Sequence, residues 1–269
     1  MPQIIPISTV PITVIIPCYR SEKTIERAVT SVLKQTCLPT QIILIDDASD
    51  DGSLSVMYDL QRRHLHVNIQ IEALDENMGP GEARNLGWAL ASEAWIAFLD
   101  ADDAWHPDKL RIQWEWILNH PDVALVGHLY HEFDASQDQI RLPKELVAKS
   151  ITFSKMLISN RFYTRTVMLR KDLPFRFKDR GYTEDYLLWL EIILANLPAY
   201  VLNQDLATSF QPEYSSGGYS GRLWLHEKRE LRAWIFLYQS RKIRILILVF
   251  AVSWSYLKYL RRFLRRIKI

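Results

Sequence analysis

Residues 100–103, Asp100-Ala101-Asp102-Asp103, place three carboxylates within four positions, directly behind the apolar run 95–99. Carboxylates this close repel one another unless a cation or a set of hydrogen-bond donors neutralises them. Hard divalent ions take oxygen ligands, and Mg2+ is usually held by one or two carboxylates together with substrate phosphates. The stretch therefore points to a metal-assisted site for a phosphorylated or nucleotide substrate. A second reading stays open: Asp100 ends a strand, and Asp103 caps the helix that follows Trp105-His106-Pro107. Two further acidic pairs stand at comparable places. Asp46-Asp47 closes the apolar run 41–45, and Glu184-Asp185 opens an amphipathic helix, where acids also complement the helix dipole. Gly79-Pro80-Gly81 with Arg84 can bring a helix N-terminus and a guanidinium to a pyrophosphate, or can be a plain turn.

The elements that must position these groups follow from periodicity. Apolar runs at 12–17, 41–45 and 95–99, with a weaker one at 66–71, alternate with helical spacing over 22–34, 54–63 and 81–91. Short strands alternating with helices predict an α/β fold, a mostly parallel sheet with helices on both faces. Ligands in such sheets bind beyond the carboxyl ends of the strands. The first, second and fourth runs end in Pro17-Cys18-Tyr19, Asp46-Asp47 and Asp100-Ala101-Asp102, so the unusual residues gather on one predicted edge. That coincidence favours a site over capping. The second half is less regular, with strands expected at 123–133, 162–169 and 199–202. Helices are expected at 114–119, 184–197 and about 222–238, the last entered through the loop Ser215-Ser216-Gly217-Gly218.

Composition sets outer bounds. At 269 residues, 48% hydrophobic and 24% charged, the chain is an ordinary globular protein with a sizeable core. Cys18 and Cys37 form no disulfide framework or metal spacing and fit a reducing compartment, and the N-terminus reads as a first strand with no secretion signal. The seven His residues show no ligand spacing. The net charge of +2 conceals an asymmetry: residues 241–269 carry nine basic residues and no acid, leaving 24 basic against 31 acidic residues elsewhere. An acidic body with a basic tail argues against a general nucleic-acid binder. The tail is apolar over most of 245–257 and then mixes apolar and basic residues at near-helical spacing. Such a segment suits a helix lying in the headgroup region of an anionic membrane, its apolar core being short for a crossing; a helix packed on the domain is the alternative.

From about Ile12 to Tyr186 the chain resembles a family 2 glycosyltransferase with the GT-A fold. The pieces that carry the resemblance are Ile15-Ile16-Pro17-Cys18-Tyr19, Ser31-Val32-Leu33-Lys34-Gln35-Thr36, Ile43-Leu44-Ile45-Asp46-Asp47-Ala48-Ser49-Asp50-Asp51, Asn77-Met78-Gly79 through Ala83-Arg84-Asn85, Asp100-Ala101-Asp102-Asp103 and Glu184-Asp185. The resemblance implies a Rossmann-like GT-A domain over 1–240, with nucleotide-sugar binding in about 10–104 and acceptor and catalytic parts in 105–240, followed by the membrane-associating tail 241–269. Asp102 would contact the Mn2+ or Mg2+ bridging the nucleoside diphosphate, with Asp100 near the ribose or the metal shell. Asp46 would recognise the uracil or ribose of a UDP-sugar, with Asp47 beside it. Pro17 and Tyr19 would shape the base pocket, and Arg84 would approach the pyrophosphate. Arg20 stands where the family often has Asn. Asp185 would be the base that takes the acceptor hydroxyl proton in an inverting transfer, and Trp189 would floor the acceptor sugar or belong to the core.

No Gln-x-x-Arg-Trp sequence is present, so a non-processive enzyme is expected. It would work at the cytoplasmic face of the plasma membrane, adding a sugar, expected to be a hexose, to a saccharide or lipid-linked acceptor in surface polysaccharide or O-antigen (lipopolysaccharide) assembly. Two rivals are a sugar-phosphate nucleotidyltransferase, which would carry a basic glycine-rich loop where Pro17-Cys18-Tyr19-Arg20-Ser21 stands, and an inactive lipid-binding scaffold, which would not need every acid.

Overall fold

The computed structural model describes residues 8–134, 142–211 and 223–267. Its first half follows the predicted alternation: β1 (Ser8–Cys18), α1 (Ile25–Leu33), β2 (Cys37–Asp46), α2 (Ser53–Arg63), β3 (Ile69–Ala73), α3 (Pro80–Leu90) and β4 (Trp95–Phe98). These strands pair in parallel in the order β3-β2-β1-β4. The side chains of β1 explain the layering. Val14 and Ile16 are fully buried with Ile25, Val29, Val32 and Met57 of the helices on one face. Ile15, between them in sequence, packs instead with Trp88 and Phe98 on the other. A strand buried on both faces is the near-continuous apolar run that the sequence displays. Gly87 lets α3 lie close on the sheet, since a Cβ there would meet Ile15 Cγ2 at 2.5 Å.

The second half contains β5 (Asp103–Trp105), α4 (Lys109–Leu118), β6 (Leu125–Glu132), β7 (Ala148–Ser150), α5 (Phe153–Ile158), β8 (Met168–Arg170), α6 (Glu184–Leu194), β9 (Ala199–Ser209), α7 (Leu223–Gln239) and α8 (Ile245–Ile267). Its strands extend the same sheet as β4-β8-β6-β9-β5, with β7 on β9. Here β8 runs antiparallel to β4 and β6, β5 and β7 run antiparallel to β9, and only β6 and β9 are parallel. The parallel character is thus confined largely to the first half.

Three expectations change. The strand expected at 162–169 is a 3-10 turn, Thr164–Thr166, followed by the short β8. The turn forms because both the backbone N–H and the hydroxyl of Thr166 donate to the Tyr163 carbonyl, each at 2.8 Å. The short strand expected at 199–202 continues to Ser209, because its polar stretch 203–205 bonds to neighbouring segments, Asn203 accepting from Val147 N–H and Asp205 from His131. Asp103 is not a helix cap. It lies in β5, almost wholly buried, while Asp108 occupies the position before α4. The loop 215–218 falls outside the described residues.

The basic tail becomes α8, which packs on α7 and α5. Ile243 and Ala251 join the core around Trp234 and Leu237. Inward-facing Lys258 and Arg262 pair with the buried Glu230 (2.7 Å) and Glu227 (3.3 Å) of α7. No helix among the described residues is long and apolar enough to cross a membrane.

Candidate active site

The strand order places β1 between β2 and β4, and the carboxyl ends of these parallel strands open on one crevice, as an open α/β sheet requires for ligand binding. A cavity of about 720 Å3 occupies it, with Pro17 and Tyr19 from the end of β1, Asp47 from β2, Gly79 and Arg84 from the start of α3, and Asp100 and Asp102 behind β4. Its volume falls in the range of roughly 300–1,000 Å3 usual for small-molecule sites.

Of the two acids at the end of β2, Asp47, just past the strand, lines the cavity, and Asp46, its last residue, does not. Asp46 turns into its own loop and accepts the Ser49 N–H at 3.1 Å. The Asp47 carboxylate accepts the N–H groups of Met78 and Gly79 at 2.7 and 2.8 Å, with the Arg180 guanidinium at 3.9 Å. Burial raises its carboxyl above the usual range, and the two N–H groups and Arg180 work against that rise. Asp47 thereby clamps the loop leading into α3, where Gly79 adopts a φ of +97° that disfavours any side chain. Arg180 holds the same loop from the other side through Nε to the Met78 carbonyl at 2.9 Å and through Nη2 to Asn77.

Arg84 is buried and donates to Asp100 at 2.6 Å. Burial alone would lift the Asp100 carboxyl, yet the charges of Arg84 and then Arg165 prevail and hold it below the ordinary carboxylate value. Asp102 goes the other way. Burial first, and the Asp100 charge second, raise it despite Arg165. Asp103 is pushed up to about 8 by burial and by Asp100 and Asp102, although Arg165 lies 3.1 Å from its carboxylate. The three neighbouring acids thus have three environments: one paired with Arg84, one facing the cavity, and one in the sheet against Arg165. Arg165 was not among the residues singled out from sequence. It belongs to no motif and arrives on the 3-10 turn, so spacing gave no signal for it.

Asp102 satisfies the chemistry expected of a metal ligand. A cation beside it would offset the burial and the Asp100 charge that raise its carboxyl. Among the described residues there is no group of three or more Asp, Glu, His or Cys that could hold a metal ion by itself.

A second cavity of about 240 Å3 shares Pro80, Arg84 and Asp100 with the first and carries Glu184 and Asp185 on its far wall. The two acids open α6, whose first turn tolerates negative charge. Glu184 is buried, and desolvation with the Asp185 charge pushes its carboxyl up to about 7. Desolvation also raises Asp185, which accepts the Tyr186 N–H at 2.7 Å. A carboxylate with a raised pKa is the better proton acceptor. Trp189 is fully buried among Phe162 and Phe177, so its role is core packing and it floors no sugar. Tyr19 is half-exposed on the cavity rim, beneath the Arg20 guanidinium at 5.1 Å. Arg20 itself pairs with Asp50 at the surface and has a φ of +50°, a conformation that Asn accommodates more easily.

A parallel β3-β2-β1-β4 core, a carboxylate pair at its edge and an acidic helix start across the cleft make an α/β architecture of the GT-A type. Residues 13–179 match the model of glycosyl transferase family 2, and the chain belongs to that family. It is 30% identical over 187 residues, covering 69% of this chain and 70% of the relative, to the UDP-Glc:α-D-GlcNAc-diphosphoundecaprenol β-1,3-glucosyltransferase WfgD of Escherichia coli. It is 29% identical over 200 residues, 73% of this chain and 77% of the relative, to the putative teichuronic acid biosynthesis glycosyltransferase TuaG of Bacillus subtilis. Among solved structures, Staphylococcus aureus TarS residues 1–349 with UDP-GlcNAc aligns with a TM-score of 0.65 at 21% identity, covering 84% of this chain and 66% of that one. The mannosyltransferase PcManGT of Pyrobaculum calidifontis, in complex with GDP-Man and Mn2+, aligns with a TM-score of 0.66 at 16% identity, covering 92% and 73%. These two likenesses establish the GT-A fold.

Proposed function

We propose that the protein is a metal-dependent, inverting, non-processive glycosyltransferase. It moves a sugar, a hexose in our reading, from a UDP-sugar to a lipid-linked saccharide in surface polysaccharide assembly. The observation that carries the proposal is that the two cavities share Pro80, Arg84 and Asp100 in their walls, with Asp102 lining the first and Asp185 the second. The donor and acceptor named for the E. coli relative, the UDP-GlcNAc in the TarS complex and the Mn2+ in the Pyrobaculum complex support the choice of substrates and ion.

Asp102, with Asp100, holds Mn2+ or Mg2+. When bound, such an ion stabilises the negative charge that gathers on the departing nucleoside diphosphate. Tyr19 and Pro17 line the base side of the pocket. Asp47 keeps the 77–79 loop in place, and Asp46 shapes the turn beside it. Arg84 stays near the pyrophosphate while countering the charge of Asp100. Asp185 accepts the proton of the acceptor hydroxyl as its oxygen bonds to the anomeric carbon. The bond from that carbon to the phosphate oxygen breaks, UDP departs with the electron pair, and the proton remains on Asp185.

The outward face of α8 supports a working position on the inner face of the plasma membrane. Leu246, Val249, Phe250, Leu257, Leu260 and Leu264 are exposed and fall on one side of the helix, opposite Ala251, Ser255, Lys258 and Arg262. Exposed Arg241, Arg244 and Arg261 flank this stripe and suit an anionic lipid surface. Removing the tail would strand Glu227 and Glu230 without their cations, so exchange of stripe residues for Ser or Gln is the cleaner test. Vesicle flotation should fall with the fold intact, and unchanged partitioning would sink the membrane reading.

The reaction itself is tested by nucleoside diphosphate release over a panel of nucleotide sugars, first with Mn2+ and then with EDTA. Release from a UDP-sugar that stops with EDTA is the expected result. Metal-independent transfer would overturn the metal assignment, and preference for another nucleotide would overturn the donor.

A further inference from the structure

A third cavity, of about 350 Å3, continues from Asp185 away from the donor pocket and ends against α8. The proposed reaction gives its near end a use, since an acceptor hydroxyl must reach Asp185. Its far end has no part in that transfer. There α7 contributes His226 and Glu230, and α8 contributes Lys258 and Arg262. Arg229, from the next turn of α7, faces the adjoining cavity. The two α8 cations are about three-quarters withdrawn from solvent. Glu230 and Glu227, themselves buried, hold them from behind. Fixed cations in a partly dry cleft suit a phosphate far better than flexible surface lysines do, and a guanidinium can grip two phosphate oxygens at once.

The placement of these cations adds a second observation. On α8, Ser255, Lys258 and Arg262 lie on one side, and the exposed apolar stripe through Leu246, Val249, Leu257, Leu260 and Leu264 lies on the other. One helix therefore presents a lipid-compatible face outward and a phosphate-compatible face inward, beside the proposed base. A free sugar would need neither face.

We propose that this third cavity is the acceptor diphosphate subsite: Lys258 and Arg262 of α8, with Arg229 of α7, bind the diphosphate that joins an acceptor sugar to its lipid, leaving a sugar hydroxyl at Asp185. This rests on the reading of the protein as a transferase to a lipid-linked saccharide and locates how that acceptor is recognised.

The test uses the full chain with the donor site saturated by UDP and Mn2+, so that a nucleotide site cannot bind the probe. Three probes are compared by calorimetry: N-acetylglucosamine joined through a diphosphate to a short alkyl chain, the matching alkyl glycoside without phosphate, and inorganic pyrophosphate. The diphosphate-linked sugar should bind at least about tenfold more tightly than either alternative. Lys258→Gln and Arg262→Gln should each weaken it about ten- to a hundredfold, as expected for loss of a charged contact, and leave the alkyl glycoside and UDP affinities unchanged. The pair Glu227→Gln with Arg262→Gln avoids leaving a buried acid unpaired and should show the same loss, with UDP binding reporting an intact fold.

Equal affinity for the phosphate-free glycoside, or variants that bind the diphosphate probe as wild type does, would overturn the subsite. Pyrophosphate binding as tight as that of the lipid-linked sugar would overturn its assignment to a lipid-linked acceptor. The two readings fail separately. Equal transfer to phosphate-free acceptors removes the subsite and leaves the reaction, whereas the expected binding pattern without any transfer removes the reaction and leaves the subsite.

Discussion

The strand-edge side of the cleft and its helical side are built by different rules. On the first, Tyr19, Asp47, Asp100 and Asp102 come from the ends of neighbouring parallel strands or the loops just behind them. On the second, Arg165, Asp185, Arg229, Lys258 and Arg262 come from a 3-10 turn and three helices scattered over the second half of the chain. The parallel sheet fixes where its side chains emerge, so a local motif there implies a location. The helical side has no such frame, and its residues meet only through tertiary packing. In the proposed reaction the first side binds the nucleotide sugar and the second the acceptor.

Perturbing each side should separate these roles. The largest effect is expected at the strand edge. Asp102→Asn should lower transfer about a thousandfold and abolish its response to Mn2+, since metal stabilisation of a leaving group is worth several kcal/mol. Undiminished transfer measured by UDP release would remove Asp102 from the metal site.

Next comes the seam between the two sides. Arg165→Met removes the guanidinium that bonds the buried Asp103 carboxyl, which keeps its proton up to about pH 8, and should cost about 1–3 kcal/mol in urea unfolding at pH 7, the range for leaving a buried polar group unsatisfied. Adding Asp103→Asn should recover much of that loss. If Arg165→Met unfolds as wild type does, the seam is not held by this pair.

The smallest effect is a pH-dependent one at the start of α6. Glu184 keeps its proton up to about pH 7 in the fold, against a normal value of 4.5. The unfolded chain therefore binds fewer protons over that window, and stability falls as pH rises through it. Glu184→Gln should relieve this, stabilising the protein at pH 8 by about 3 kcal/mol at most and having little effect at pH 4. Thermal melts across pH that show no such divergence would mean that burial does not perturb Glu184.

The same contrast explains what was legible in the sequence. The β1-α1-β2-α2-β3-α3-β4 alternation could be read because apolar runs of strand length alternate with helical spacing, and each run ends where the site lies. The motif acids Asp47, Asp100 and Asp102 line the cavity, while Asp46 turns into its loop. Asp103 misled because a short acid before a helix resembles a cap. Only the pairing of β5 with β9, distant in sequence, puts it in the sheet. Arg165 and Arg180 were invisible because each matters through a partner far away in the chain. The tail showed its basic, amphipathic character but not which basic residues turn inward, since Glu227 and Glu230, which draw in Lys258 and Arg262, lie on another helix.

The division of labour is tested most directly by Asp185→Asn, with UDP-sugar affinity measured by calorimetry in Mn2+ alongside the rate of transfer. Donor affinity should stay within about threefold of wild type while transfer falls about 10²–10⁴-fold, the usual contribution of a positioned base. Retained transfer, or a loss of donor binding as large as the loss of transfer, would contradict that division.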